Sequence, residues 1–165
     1  MKTTRALVEQ LLRRMGEGDA DRVAELFAER VDWKVAGSPA VPWIRDRSVR
    51  ADVADHFRSL DAAFVADRRA VSLTAIVVEG DDAVVTCDVS QTVRATGRSF
   101  TIPVALHVTF ADGLVVRYHV YEDSLTVAEA CAVPPGGRLD AASSADRWLQ
   151  FLRRLLMVGA VRDRG

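Results

Sequence analysis

Cysteine is scarce in this chain of 165 residues: Cys87 and Cys131 stand alone, with no CxxC pair and no Cys/His spacing of the kind that holds zinc. Each thiol therefore reads as a small buried hydrophobe and not as a nucleophile or a metal ligand. An excess of one charge is missing too. Lys and Arg total 22 against 23 Asp and Glu, a formal net charge of −1, so there is no electrostatic footprint for nucleic acid or for an anionic membrane. No apolar run approaches the roughly 20 residues that span a bilayer. The start, Met1-Lys2-Thr3-Thr4-Arg5, leads into an amphipathic pattern and not into a signal-peptide block, which makes the cytoplasm the expected location. Glycine-rich phosphate loops and a GxSxG motif are absent as well.

What remains is apolar enough for a core. Hydrophobic residues make up 49% of the sequence, and the length suits one domain. The first third has helical spacing. Thr3 or Thr4 can cap a helix with Leu7, Val8, Leu11, Leu12 and Met15 on one stripe, ended by Gly16 and Gly18. Asp19 can cap a shorter helix carrying Val23, Leu26 and Phe27. Val31, Trp33 and Val35 then alternate as a short strand, and a loop with Gly37, Pro39 and Pro42 holds Trp43. Ser48 opens a third helix whose stripe, from Val49 to Phe64, includes His56 and Phe57.

From Val71 onward the period changes to two. Strands are predicted over 71–78, 83–93, 100–110 and 114–123, joined by Gly80-Asp81-Asp82, Ala95-Thr96-Gly97 and Ala111-Asp112-Gly113 turns suited to antiparallel hairpins. A short helix is predicted over 125–130. This order gives an α+β fold in which a curved antiparallel sheet wraps around the N-terminal helices and leaves a conical pocket. The domain is expected over 1–132. Residues 133–165 form a Pro/Gly linker, Pro134-Pro135-Gly136-Gly137, and an extra C-terminal helix with Trp148, Leu149, Leu152 and Leu156. That apolar stripe must dock on its own domain or on a partner.

The last strand draws the eye chemically. Alternation puts Arg117, His119, Tyr121 and Asp123 on one face, and ionisable groups on a buried face must pair or meet a ligand.

The order of elements, with Gly18-Asp19-Ala20, Val31-Asp32-Trp33, Thr96-Gly97-Arg98 and Asp112-Gly113-Leu114-Val115 through Tyr121-Glu122-Asp123, resembles the nuclear transport factor 2-like superfamily. The nearest branch is that of SnoaL-like polyketide cyclases, limonene epoxide hydrolase and ketosteroid isomerase. The resemblance covers roughly residues 3 to 130. It implies a small hydrophobic substrate inside the cone, no cofactor, and a homodimer formed through the outer face of the sheet. Asp123 matches the position of the Asp that activates water in limonene epoxide hydrolase and of the one Asp on which SnoaL-like cyclases depend. The hydrolase's Arg-x-Asp pair, however, falls on Val89-Ser90-Gln91 and its Asn falls among Trp33-Lys34-Val35. The base and the protonated Asp of ketosteroid isomerase fall on Lys34, Val35 and residues 104–106. Epoxide hydrolysis is therefore not expected.

Two registers are open for the final hairpin. A two-residue turn at Asp112-Gly113 sets Leu106 opposite His119, Val104 opposite Tyr121 and Ile102 opposite Asp123. A three-residue turn sets His107 and Thr109 beside Arg117 and His119, and the resemblance favours the first. In that arrangement the catalytic candidates are Asp123, with a carboxyl pKa raised by desolvation, His119 as proton relay and Tyr121 as hydrogen-bond donor to a carbonyl or enolate oxygen. Trp33, Trp43, His56, Phe57, Gln91, Ile102, Val104 and Leu106 are the candidate substrate-binding residues. The expected activity is acid-base chemistry on a small hydrophobic carbonyl compound, of cyclase, isomerase or dehydratase type. A lipophilic-ligand carrier and a structural dimerisation module are the alternatives, and Asp123 has the competing role of capping the helix that follows it.

Overall fold

The computed structural model describes residues 2–133. The predicted tail helix around Trp148 lies outside them. Helix α1 spans Thr4–Glu17, with the Thr3 hydroxyl accepting from the Ala6 N–H at 3.3 Å, and it stops at Gly18, whose φ of 75° is a left-handed conformation open to a residue without a Cβ. Asp19 caps α2, Ala20–Ala24, by accepting from the Arg22 N–H at 3.1 Å. This helix is shorter than its periodicity suggests. Leu26 and Phe27 leave it because the backbone there is claimed by a sheet: the Val115 N–H donates to the Leu26 carbonyl, and Phe27 opens strand β1, Phe27–Val35. Helix α3 spans Arg50–Ala63 and starts later than the Ser48 cap predicts. Ser48 instead donates its backbone N–H to the Asp52 carboxylate at 3.4 Å.

Strands β2 (Ala70–Glu79), β3 (Asp82–Thr92), β4 (Ser99–Ala111) and β5 (Leu114–Glu122) form the expected meander, and α4 follows over Ser124–Cys131. The sheet order is β1-β5-β4-β3-β2. Strand β1 lies parallel to β5, so the curved sheet is mixed and not wholly antiparallel. Val8, Leu11, Val53 and Phe57 of the helices pack against Val85, Leu106, Val108 and Tyr118 of the sheet. A second cluster, with Trp43, Phe64, Val93, Ile102 and Val127, closes the other end. Among the described residues no helix is long and apolar enough to cross a membrane.

One irregularity decides what the sheet presents to its interior. Asp112 and Gly113, with φ of 51° and 78°, make a two-residue turn in which Ala111 faces Leu114 and Phe110 faces Val115. The next pair is Thr109 with Arg117, so Val116 is an extra residue with no partner, a β-bulge. The physical reason is burial. Val115 and Tyr118 are both buried, at 0% and 3% exposure, yet they lie three positions apart and could not share a face of a regular strand. Beyond the bulge His107 faces His119, Leu106 faces Val120 and Val104 faces Glu122. The favoured register is thus corrected by one residue, and every side chain of β5 beyond Val116 changes face.

Candidate active site

Between the helices and the sheet lies a cavity of about 460 Å³, within the range of small-molecule sites. Its wall is mostly aliphatic and aromatic. Trp43, His56, Phe57, Gln91, Ile102, Val104 and Leu106, all predicted as ligand contacts, line it. Trp33 stands behind the wall instead: its indole stacks on Tyr118 at 4.5 Å and meets His56 edge-on at 4.8 Å, so it supports lining residues without lining the cavity itself.

The predicted catalytic set lies elsewhere. His119 and Tyr121 point to the outer face of the sheet, as does Arg117, because the bulge has turned them over. The Asp32 carboxylate accepts from Arg117 Nε at 2.8 Å and pairs with His119 Nε2 at 2.9 Å, and these contacts, Arg117's first, hold its pKa below the usual carboxylate range. Tyr121 is 47% exposed. His107, expected on the opposite face from His119, is its direct neighbour, with ring centroids 6.2 Å apart, and it pairs with Asp82 at 2.7 Å. Asp123 lies just past the strand and caps α4. Its carboxylate accepts from the Thr126 backbone N–H at 3.1 Å and from the Thr126 hydroxyl at 2.7 Å, which lowers its pKa, opposite to the expected shift. The competing capping role is the one this geometry displays.

In their place β5 turns Tyr118, Val120 and Glu122 inward. Glu122 is the carboxyl group of interest. Burial alone raises its pKa, and its Oε1 is buried with no partner among the described residues. Tyr118 keeps its proton more tightly than an ordinary phenol, chiefly through burial and then through the charges of Glu122 and Cys87. It is therefore a donor and not a base. His56 is neutral by the same cause acting in the other direction: burial first, then the nearby Arg47 cation, push its pKa down to about 3, partly opposed by the Trp43 carbonyl. Its Nδ1 has no partner among the described residues, and neither has Gln91 Oε1. A buried carboxyl with a raised pKa, a phenol, an amide and a neutral imidazole thus surround an apolar space. That set can accept, hold and return a proton while hydrogen-bonding a carbonyl oxygen.

Sequence reasoning missed Tyr118 and Glu122, although a signal was present. The set Tyr118, Val120 and Glu122 is less polar than Arg117, His119 and Tyr121, and the less polar face of a strand is the ordinary choice for the interior.

A comparison with protein families matches the SnoaL-like domain over residues 8–118. No curated protein matches the chain. Among solved structures, an NTF2-like protein from Burkholderia thailandensis aligns with a TM-score of 0.70 at 22% identity, over 81% of this chain and 100% of the other. A protein from Rhodopseudomonas palustris named as a candidate isomerase aligns with a TM-score of 0.66 at 19% identity, over 75% and 94%. A candidate SnoaL-like polyketide cyclase from Jannaschia sp. aligns with a TM-score of 0.59 at 23% identity, over 78% and 93%. At such identities the likeness speaks for the fold, while the family match covers well over half of the chain. With the cone fold and its apolar cavity in place, the chain belongs to the SnoaL-like domain family.

Proposed function

We propose that this protein is an acid-base enzyme acting on a small hydrophobic carbonyl compound, of isomerase, cyclase or dehydratase type, with Glu122 as the proton-transferring group. The observation that carries this reading is the unpartnered Glu122 carboxyl in an apolar cavity, its pKa raised by burial. A carboxyl group so placed titrates closer to neutral pH, where proton transfer in both directions is efficient. Tyr118 supplies a hydrogen bond to the substrate oxygen as charge develops on it. Naming of structural relatives as candidate isomerases and cyclases agrees with this class.

The test uses 2-tetralone, a bicyclic ketone with enolisable protons, and follows its hydrogen-deuterium exchange in D2O by NMR. Wild type is expected to accelerate exchange, Glu122→Gln to lose roughly 10²- to 10⁴-fold of that acceleration, and Asp123→Ala and His119→Ala to retain it. Exchange that survives in Glu122→Gln, or that disappears with Asp123→Ala, sinks the proposal. A carrier without catalysis would bind the ketone equally in wild type and Glu122→Gln and accelerate exchange in neither.

A further inference from the structure

At the corner of the cavity remote from Glu122, a guanidinium has an unused edge. Arg69 lies one residue before β2, and the alternation Arg69, Val71, Leu73 places all three on the face that borders the cavity, where Val71 and Leu73, 63% and 54% exposed, form its open rim. Its Nη1 donates to Asp61 Oδ1 of α3 at 2.9 Å, which fixes the guanidinium between helix and strand. Nε and Nη2 are buried and have no partner among the described residues.

The geometry of those two atoms is specific. In a planar guanidinium the Nε–H and one Nη2–H point in the same direction, and together they form a fork that matches the two oxygens of a carboxylate. Asp61 occupies the other end and leaves this fork free. A buried cationic edge with no acceptor is unfavourable, and an anion brought in from outside would relieve it. Gln91 stands next to it, because Ala70 pairs with Ser90, and its buried Oε1 also lacks a partner among the described residues. One more hydrogen-bonding group of the ligand can be met there.

We infer that the ligand of this cavity carries a carboxylate seated on the Nε–Nη2 edge of Arg69, away from the carbonyl addressed by Glu122. This rests on the reading of the cavity as a substrate site and adds the class of substrate. The register sets the ligand's shape. Glu122 is aligned through Val104 with Cys87, and Cys87 is four residues from Gln91 along β3, about 13 Å at the rise of a strand. The substrate is therefore an elongated keto acid with an apolar middle. Binding energy at the carboxylate would hold the reacting carbonyl in place.

A matched pair of probes tests this on the full chain by calorimetry: 1-naphthaleneacetate and its neutral counterpart 1-naphthaleneacetamide. Wild type is expected to bind the carboxylate at least tenfold more tightly than the amide. Arg69→Met should erase that preference while leaving amide affinity within about twofold, and Glu122→Gln should keep it. Arg69→Lys retains the charge without the fork and should lose at least threefold of the preference; it decides the matter where Arg69→Met does not fold. Equal affinities in wild type, or a preference that survives these substitutions, overturns the carboxylate seat and leaves the Glu122 chemistry standing. Failure of both probes to bind overturns the cavity as a ligand site and this inference with it, whereas loss of the ketone exchange alone touches only the catalytic reading.

Discussion

A carboxyl group and an imidazole share the cavity wall, and the same cause drives them in opposite directions. Burial favours the neutral form of each, raising the pKa of Glu122 and lowering that of His56 to about 3. Their effects on stability therefore have opposite signs. The unfolded chain protonates His56 below about 6.5 while the folded protein resists until about 3, so stability falls as pH drops through that window. Denaturant titrations should show this acid-side loss in wild type and a flatter profile in His56→Gln. For Glu122 the folded pKa is the higher one, so its favourable contribution is complete below the unfolded pKa and is lost as pH rises through the folded value. Glu122→Gln should then melt higher than wild type above that pKa and at the same temperature in acid. A difference in melting temperature independent of pH would contradict the assignment. The variant that loses catalysis is thus expected to be the more stable one, a pattern common where an active site holds a strained ionisable group.

At the scale of elements, helix α4 and strand β5 divide the work that the sequence suggested for one face. Asp123→Ala should lower the melting temperature by releasing the two hydrogen bonds to Thr126 and fraying α4, with ketone exchange kept. Deleting Val116 is a sharper test. Without Val116, Arg117 would follow Val115 directly and still face Thr109, so Tyr118, Val120 and Glu122 keep the inward face of a now regular strand. That chain is expected to fold cooperatively with Tyr118 still buried, as followed by near-ultraviolet circular dichroism, and loss of the cooperative fold would contradict this register. The elements themselves were readable: caps at Thr3 and Asp19, three glycine-bearing turns and period-two strands fixed the meander with boundaries shifted by a residue or two. Seven of the eight positions expected to contact a ligand line the cavity; five of them follow from apolar alternation on β4 and from the α3 stripe, while Trp43 comes from a loop and Gln91 from β3. The inward carboxyl, Glu122, was not readable. A bulge leaves no compositional mark at Val116, its cause being the joint burial of Val115 and Tyr118 against helices far away in sequence. Arg69 escaped for a related reason, because its role depends on Asp61 reaching it from another element.

For the molecule as a whole, a ligand that fills the cavity couples to stability. At a concentration 100 times its Kd, a ligand that binds only the folded protein adds about 2.7 kcal/mol, so 1-naphthaleneacetate should raise the melting temperature by several degrees in wild type and by less in Arg69→Met. An unchanged melting temperature at saturation would mean that the probe does not bind the folded cavity. The bulge also has a consequence at this scale, visible without any structure. In a scan of all single substitutions scored for function, a regular strand gives an even beat, tolerant and intolerant positions alternating. Along β5 that beat should skip. Sensitivity is expected at Val115, then at Tyr118, Val120 and Glu122, an odd position followed by even ones, while Arg117, His119 and Tyr121 accept replacement. The skipped beat would mark Val116 as the point where the chain changes phase, and a relative with one residue fewer at that point would present the same side chains to its cavity along an unbroken beat.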